Sequence, residues 1–289
     1  MSKILVIANN KGGVAKTTST ACLAAYFSLV KKKRVLLVDC DPQCNLTAAM
    51  LNVNYDVPDN VEYLPEHPED GERYNLANVY FREATNPYPT RLPQVDLIPN
   101  LARNIEIDRA DDSVIKHFVE FFHQEVIGEM YDIVIMDTPP AKGVLTTSAL
   151  RAATHVLIPC VMEKKSVEGL LGMVSKVMEE QMYQPHDRQA RLVGILPTKF
   201  DSRMRIHKSF LTSLNDPNQM GVIADLMIPK QLPQGKEIES FVIKERALIK
   251  EMELRDASPT TPFGMPAGSD VRKEWTALGK FVMKEVLNG

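Results

Sequence analysis

The chain has 289 residues, with 44% hydrophobic and 25% charged side chains and a formal net charge of −3. That length supports one large α/β domain with a substantial core, and the composition excludes a disordered polar chain. So small a net charge excludes a molecule drawn as a whole to nucleic acid, and any such contact must rest on a local patch.

No apolar stretch reaches the about 20 residues of a bilayer span. The start, MSKILVIANNKGG, reads directly into a strand and a loop and leaves no room for a signal peptide. The four cysteines, Cys22, Cys40, Cys44 and Cys160, make no disulfide framework at this length, so a reducing cytoplasm is the expected location.

Taken in chain order, short apolar runs alternate with longer helical patterns. Strands are expected at Ile4-Ala8, Val35-Val38, Val95-Ile98, Ile133-Met136, Val156-Pro159, Val193-Leu196 and Val222-Ile228. Helices are expected near 16–30, 111–130, 164–183 and 202–215. Fully apolar strands separated by helices predict an α/β fold, a mostly parallel twisted sheet flanked by helices on both faces. Ligands of such sheets sit at the carboxyl ends of the strands. Residues 54–94 are acidic and proline-punctuated, and predict a surface excursion around one short helix near Leu76-Arg82. Residues 256–269 read as a loop, and a C-terminal helix is expected over 271–287. No segment looks like a boundary with a second core beyond it, so residues 1–289 are expected to form a single domain.

The first expected strand runs into Asn9-Asn10-Lys11-Gly12-Gly13-Val14-Ala15-Lys16-Thr17-Thr18, followed by a helix. Strand, glycine loop and helix bring backbone N–H groups and a helix N-terminus together on an anion. Gly12 and Gly13 let the backbone pass close to a phosphate, Lys16 can reach the β- and γ-phosphates, and the Thr17 hydroxyl can ligate Mg2+. The ordinary G-x-x-x-x-G-K-[ST] pattern fails at both glycines, where Asn10 and Ala15 stand, and an additional lysine appears at Lys11.

A phosphate loop also needs carboxylates. The run Tyr131–Pro140 (YDIVIMDTPP) is a buried strand ending in Asp137, which is where an Mg2+-linked water would be held, although an exposed Asp capping the next turn gives the same pattern. The run VLLVDCDPQCN at 35–45 ends in Asp39 and Asp41, two residues apart, so both can face the phosphates from an extended chain. One would sit near the metal while the other orients the attacking water. Cys40 and Cys44 invite a metal or redox reading, but no histidine is nearby and the spacing is not CxxC.

Together these motifs resemble the ParA/MinD family of deviant Walker ATPases. The resemblance covers KGGVAKTT at 11–18, VLLVDCDPQCN at 35–45, VDLIPN at 95–100 and YDIVIMDTPP at 131–140. It continues through THVLIPCVMEKKSVEGL at 154–170, GILPTKFDSR at 194–203 and WTALGKFVMKEVLNG at 275–289. It implies an Mg-dependent ATP hydrolase acting as an ATP-sandwich homodimer, with the nucleotide held by Lys11 through Thr18. Lys11 would be the signature lysine that crosses to the partner's nucleotide, and Lys16 and Thr17 the phosphate and magnesium residues. Asp41 would be the water-activating aspartate and Asp137 the Walker B residue, so that Thr17, Asp41 and Asp137 attend the metal. Thr198 and the Pro229-Lys230 turn resemble the parts that enclose adenine. Two departures stand out: Ala15 and Cys44 replace glycines usual in the family.

Three branches of that family compete: a ParA-type partition ATPase that binds DNA nonspecifically and is stimulated by a ParB-like or cargo-adaptor protein, a MinD-like membrane ATPase, and a small-molecule enzyme. Val271, Trp275, Leu278, Val282 and Val286 fall on one face of the last helix, a pattern expected of core packing more than of membrane binding. Lys199, Arg203, Arg205, His207 and Lys208, then Lys230, Lys236, Lys244, Arg246 and Lys250, supply candidate phosphate contacts. The loop at residue 11 leaves no room for an N-terminal helix-turn-helix domain. The partition reading therefore ranks first, with the protein cytoplasmic and nucleoid-associated, and its cargo open.

Overall fold

The computed structural model describes residues 2–51, 64–229, 240–251 and 261–288. The first half of the chain runs β1 (Ile4–Ile7), α1 (Lys16–Ala25, continued by a π-helical turn to Val30), β2 (Val35–Asp39), α2 (Asn45–Leu51), α3 (Leu76–Phe81), β3 (Tyr88–Pro89) and β4 (Val95–Ile98). A 3-10 segment (Ala102–Arg109) leads to α4 (Ser113–Phe122), α5 (Glu125–Met130), β5 (Ile133–Asp137), α6 (Val144–Ala152) and β6 (His155–Val161). The rest comprises α7 (Lys164–Gln181), β7 (Arg191–Thr198), α8 (Arg205–Leu214), α9 (Pro217–Met220), α10 (Val222–Asp225), α11 (Ala247–Glu251) and α12 (Asp270–Val282, continued to Leu287).

Among the described residues the strands form one sheet of order β3-β4-β2-β5-β1-β6-β7. Every pairing is parallel except β3 with β4. Alternation along the strands divides the core into two layers. Ile4, Val6 and Ala8 join a cluster with residues of α4, α6 and α7, whereas Leu5 and Ile7 join one with α1 and α12. The fold expected from the strand pattern is therefore the one observed.

The last helix packs as core. Val271, Trp275, Leu278, Val282 and Val286 are all buried on the α1 side of the sheet, and Gly279 lies so close to Tyr26 that a Cβ there would meet its ring at 2.4 Å. Among the described residues no helix is long and apolar enough to cross a membrane.

One expected strand is wrong. Val222-Ile228 begins as α10 and turns extended only at Met227, which bridges Ile195. Ile223 and Met227, four apart, are both buried, so the apolar run served a helical turn as well as it would a strand. Of the acidic excursion, the described part, 64–94, carries the expected short helix as α3 and an edge strand, β3. Asn75 caps α3 by accepting from the Ala77 amide at 3.0 Å.

Candidate functional site

The carboxyl ends of β1, β2 and β5 meet at the loop that follows β1. Asn9 fixes the entrance: its amide donates to the Pro159 carbonyl at 2.7 Å, and its Oδ1 accepts from the Lys11 amide at 3.0 Å. Gly13 adopts φ 73°, the left-handed region natural to glycine. Ala15 adopts φ 64° as the N-cap of α1, with no side-chain cap and no acidic residue in the first turn. The first N–H groups of α1 and the positive end of its dipole are thus directed at the loop, an anion site in geometry and charge.

Lys16 is 7% exposed, and its ammonium curls back to donate to the Lys11 carbonyl at 3.0 Å. Burial lowers its pKa, against the opposing charges of Asp137 and Asp41. Thr198, fully buried at the end of β7, donates to the Val14 carbonyl at 3.0 Å and so props the loop from behind. Thr18 lies in the first turn of α1. Lys11 points elsewhere. Its ammonium donates to Glu163 at 3.1 Å and to Ser166 at 2.7 Å, at the start of α7.

Strand register sets the carboxylates side by side, with Asp39 on β2 paired to Asp137 on β5. The expectation that Asp39 and Asp41 both face the phosphates fails. Asp39 Oδ2 accepts the Thr47 amide and hydroxyl at 2.8 and 2.7 Å, and Oδ1 accepts the Asp41 amide at 3.1 Å. Its carboxyl is spent on the start of α2 and on the loop between. Asp41 is 8% exposed, and among the described residues its side chain accepts only the Gln43 amide, at 2.9 Å. Asp137 accepts from the Thr17 hydroxyl at 2.6 Å through Oδ2, while Oδ1 is buried with no hydrogen-bond partner among the described residues.

Burial raises the Asp39 carboxyl to about 7 in spite of the Thr47 bonds. Burial, and then the Asp39 charge, push Asp137 well above the carboxylate range. Burial also raises Asp41, with the Gln43 amide and Lys16 opposing. A dry carboxylate oxygen with no donor, beside a hydroxyl, is a place for a cation. Among the described residues no three His, Cys, Asp or Glu side chains converge to hold a metal by themselves. The residues therefore fit Mg2+, which is bound through one or two carboxylates, waters and substrate phosphates. The cysteines do not fit a metal or redox role: all four are buried, and burial pushes the Cys160 thiol up to about 12 and those of Cys40 and Cys44 up as well.

The basic residues separate into usable and committed groups. A bridge between Phe200 and Lys244 brings the segments after β7 and before α11 together. Arg203, Arg205 and Lys208 are exposed at the start of α8. His207 is not a phosphate contact, being 4% exposed with Nδ1 accepting from the Asp201 amide at 3.0 Å. Arg246 is held by Glu274 at 2.7 Å, Lys244 lies 3.8 Å from the same carboxylate, and Arg203 is held by Asp201 at 2.8 Å. Lys230 and Lys236 lie outside the described residues, and Pro229 is exposed where it bridges Ser240.

Comparison with known proteins decides the family. Residues 2–186 match the AAA domain family, and the chromosome-partitioning ATPase Soj of Thermus thermophilus is 32% identical over 200 residues, 69% of this chain and 70% of that protein. The chain belongs to the ParA-type ATPases. The fold of this ParA-type chain matches that of McdA from Cyanothece, at a TM-score of 0.69 and 20% identity over 98% of this chain and 100% of that one. Cobyrinic acid a,c-diamide synthase of Mycobacterium smegmatis, solved with an ATP analogue and magnesium, matches at a TM-score of 0.62 and 26% identity over 82% of this chain and 89% of that one. Asn9, Glu163, Ser166 and Thr47 were not singled out as site residues in the sequence; only Asn9, adjacent to the glycine loop, carried a local signal.

Proposed function

We propose that this ParA-type chain binds ATP with Mg2+ at Lys11–Thr18, hydrolyses it, and cycles between a monomer and an ATP-sandwich homodimer. The dimer binds DNA nonspecifically and positions or segregates a cargo, with hydrolysis stimulated by a ParB-like or adaptor protein, in a nucleoid-associated cytoplasmic setting. The whole of residues 1–289 acts as one ATPase domain. The observation that carries this reading is the division of labour between two lysines: Lys16 is buried over its own loop, whereas Lys11 stands at the rim, 29% exposed, on Glu163.

In the cycle, the amides of Gly12 through Thr18 and the α1 dipole bind the phosphates. Lys16 neutralises charge as it builds on them. Bound Mg2+ supplies further neutralisation of the transferring phosphoryl group, held through Thr17 and Asp137 with Asp41 nearby. Asp41 orients the attacking water and accepts its proton. Lys11, released from Glu163 and Ser166, serves the partner's nucleotide as a cation in trans, a role worth several powers of ten in related phosphoryl transfers. Thr198 supports the loop beside the adenine side, and Pro229 lines the edge from which the base would be reached.

The exposed Arg205 and Lys208 support contact with DNA phosphates, and Arg203 and Lys244 would join them on leaving Asp201 and Glu274. The buried apolar face of α12 weighs against the MinD-like reading, since it leaves that helix nothing to lay into a lipid surface. The deciding experiment is light scattering in ATP and in ADP, paired with pull-downs on arbitrary duplex DNA and on anionic liposomes. Dimers and salt-sensitive DNA binding only with ATP support the reading. Liposome binding without DNA binding favours the membrane branch, and a chain monomeric in both nucleotides favours a small-molecule enzyme.

A further inference from the structure

The Asp39 carboxylate grips the Asp41 loop at both ends, through the Asp41 amide on one side and the Thr47 amide and hydroxyl on the other. The brace is itself anchored. The Thr47 hydroxyl accepts from the Asn100 amide at 3.0 Å, and Asn100 Oδ1 accepts from Asn104 Nδ2 at 2.8 Å. Asn104 Nδ2 also donates to Asn75 Oδ1 at 2.9 Å, which ties the chain of bonds to the cap of α3. Inside the loop the Cys44 amide donates to the Asp41 carbonyl at 2.8 Å and the Gln43 amide to the Asp41 carboxylate at 2.9 Å, so the segment closes on itself. Asp39, Thr47 and Asn100 are all fully buried, and desolvating a carboxylate is costly unless it is well bonded. An exposed serine or aspartate would cap α2 without that cost. What the buried arrangement adds is rigidity between the strand end and the first turn of α2.

We propose that Asp39 and Thr47 are positioning residues for hydrolysis: by holding both ends of the 41–46 loop they fix the direction from which the Asp41 carboxylate meets the attacking water, without touching the nucleotide themselves. The proposal rests on the ATPase reading of Asp41. Displacements of about 1 Å at a positioning group reduce rates by about a hundredfold, so a slackened brace should act on turnover rather than on binding.

The test compares Thr47→Val, which keeps the shape but removes the hydroxyl, with Thr47→Ser, which keeps it. Single-turnover hydrolysis, affinity for a fluorescent ATP analogue, and hydrogen exchange of the amides of residues 41–47 in nucleotide-free protein are measured on each. Thr47→Val is expected to lose about tenfold or more in turnover with analogue affinity within about threefold of wild type and faster exchange at Asp41 and Thr47, while Thr47→Ser stays near wild type in all three. A smaller loss of turnover, a parallel loss of affinity, unchanged exchange, or a serine variant as slow as the valine one each overturns the proposal. Wild-type protein with no turnover at all overturns the ATPase reading instead, and the exchange measurement still reports whether the brace holds the loop. Asp39→Asn should follow Thr47→Val; if it does not fold, the Thr47 pair decides alone.

Discussion

The Thr17 hydroxyl donates to one oxygen of Asp137 at 2.6 Å, and the other oxygen of that carboxylate is buried with no donor among the described residues. Beside it on the neighbouring strand lies Asp39, a second buried carboxylate. Without a cation this pair is a liability, because burial and mutual repulsion both oppose ionisation.

Asp137→Asn should therefore stabilise the nucleotide-free chain while disabling it. Removing the charge relieves desolvation and repulsion at once, and a gain of about 1 kcal/mol or more is expected. Hydrolysis in the presence of magnesium should fall by about a hundredfold, since the cation loses its only ionic partner on that strand. Thermal melts without nucleotide and turnover assays with ATP check the two halves separately; a variant that is both less stable and still active contradicts the account.

A second expectation concerns Lys11, which is held in its own chain by Glu163 and Ser166. Any role at a partner's nucleotide requires those contacts to break first. A half-exposed ion pair contributes little, and with the added hydroxyl contact the restraint amounts to about 1 kcal/mol. Glu163→Gln with Ser166→Ala should then lower the ATP concentration needed for half-maximal dimerisation by about fivefold, whereas Lys11→Ala should abolish the dimer. Light scattering across an ATP titration reads both, and a double variant that needs more ATP than wild type would show that α7 helps the dimer form.

Much of the site was legible because its parts are local. A strand, a glycine loop and a helix follow one another in sequence, and so do the strand and the aspartate at 133–137. What the sequence withheld depends on contacts between distant segments. Whether Asp39 faces a phosphate or Thr47 is not settled by its place on the strand, since the chain turns after it and brings α2 back within reach. His207 looks basic in a basic run, yet the fold turns it inward to serve the Asp201 amide. The same limit applies to Val222-Ile228, where only the packing of Ile223 and Met227 separates a helical turn from a strand. The two departures from the family pattern were visible, but their consequence was not. Ala15 and Cys44 both adopt left-handed backbone, at φ 64° and 56°, where a glycine is at ease.

Ala15→Gly should accordingly be tolerated. The strain it relieves, about 1 kcal/mol, is offset by the greater freedom of glycine in the unfolded chain, so stability should move by less than about 1 kcal/mol. Ala15→Val should cost about 2 kcal/mol or more, because a β-branched side chain is the worst fit to that region. Cys44→Gly differs from Ala15→Gly, since it also empties a buried position and removes the thiol contact to the Pro42 carbonyl at 3.3 Å. It should lower stability even as it eases the backbone. Urea unfolding of the three variants gives the order directly, with Ala15→Gly the most stable and Ala15→Val the least.

The pH dependence of the free chain should carry the signature of His155. This residue is 8% exposed on β6, with Nδ1 2.8 Å from the Thr154 hydroxyl. Burial, and then the charges of Lys3 and Arg191, lower its pKa from 6.5 to about 4. The folded imidazole thus stays neutral where the unfolded one takes a proton. Stability from this group is complete above pH 6.5, is lost progressively as the pH falls from there, and the loss ends at about pH 4. Each tenfold difference in proton affinity between the folded and unfolded imidazole is worth about 1.4 kcal/mol. Wild type should therefore lose about 2 kcal/mol between pH 6.5 and 4.5 relative to His155→Gln. The half-buried Asp201, lowered to about 2 by its hydrogen bonds from Arg203, follows the same sign only below that window, so it does not confuse the comparison. Urea midpoints of the two proteins at three pH values in this range make the measurement. Parallel curves would mean that the folded imidazole takes up its proton over the same pH range as the unfolded one, with Thr154 and the strand ends rearranged to accept it.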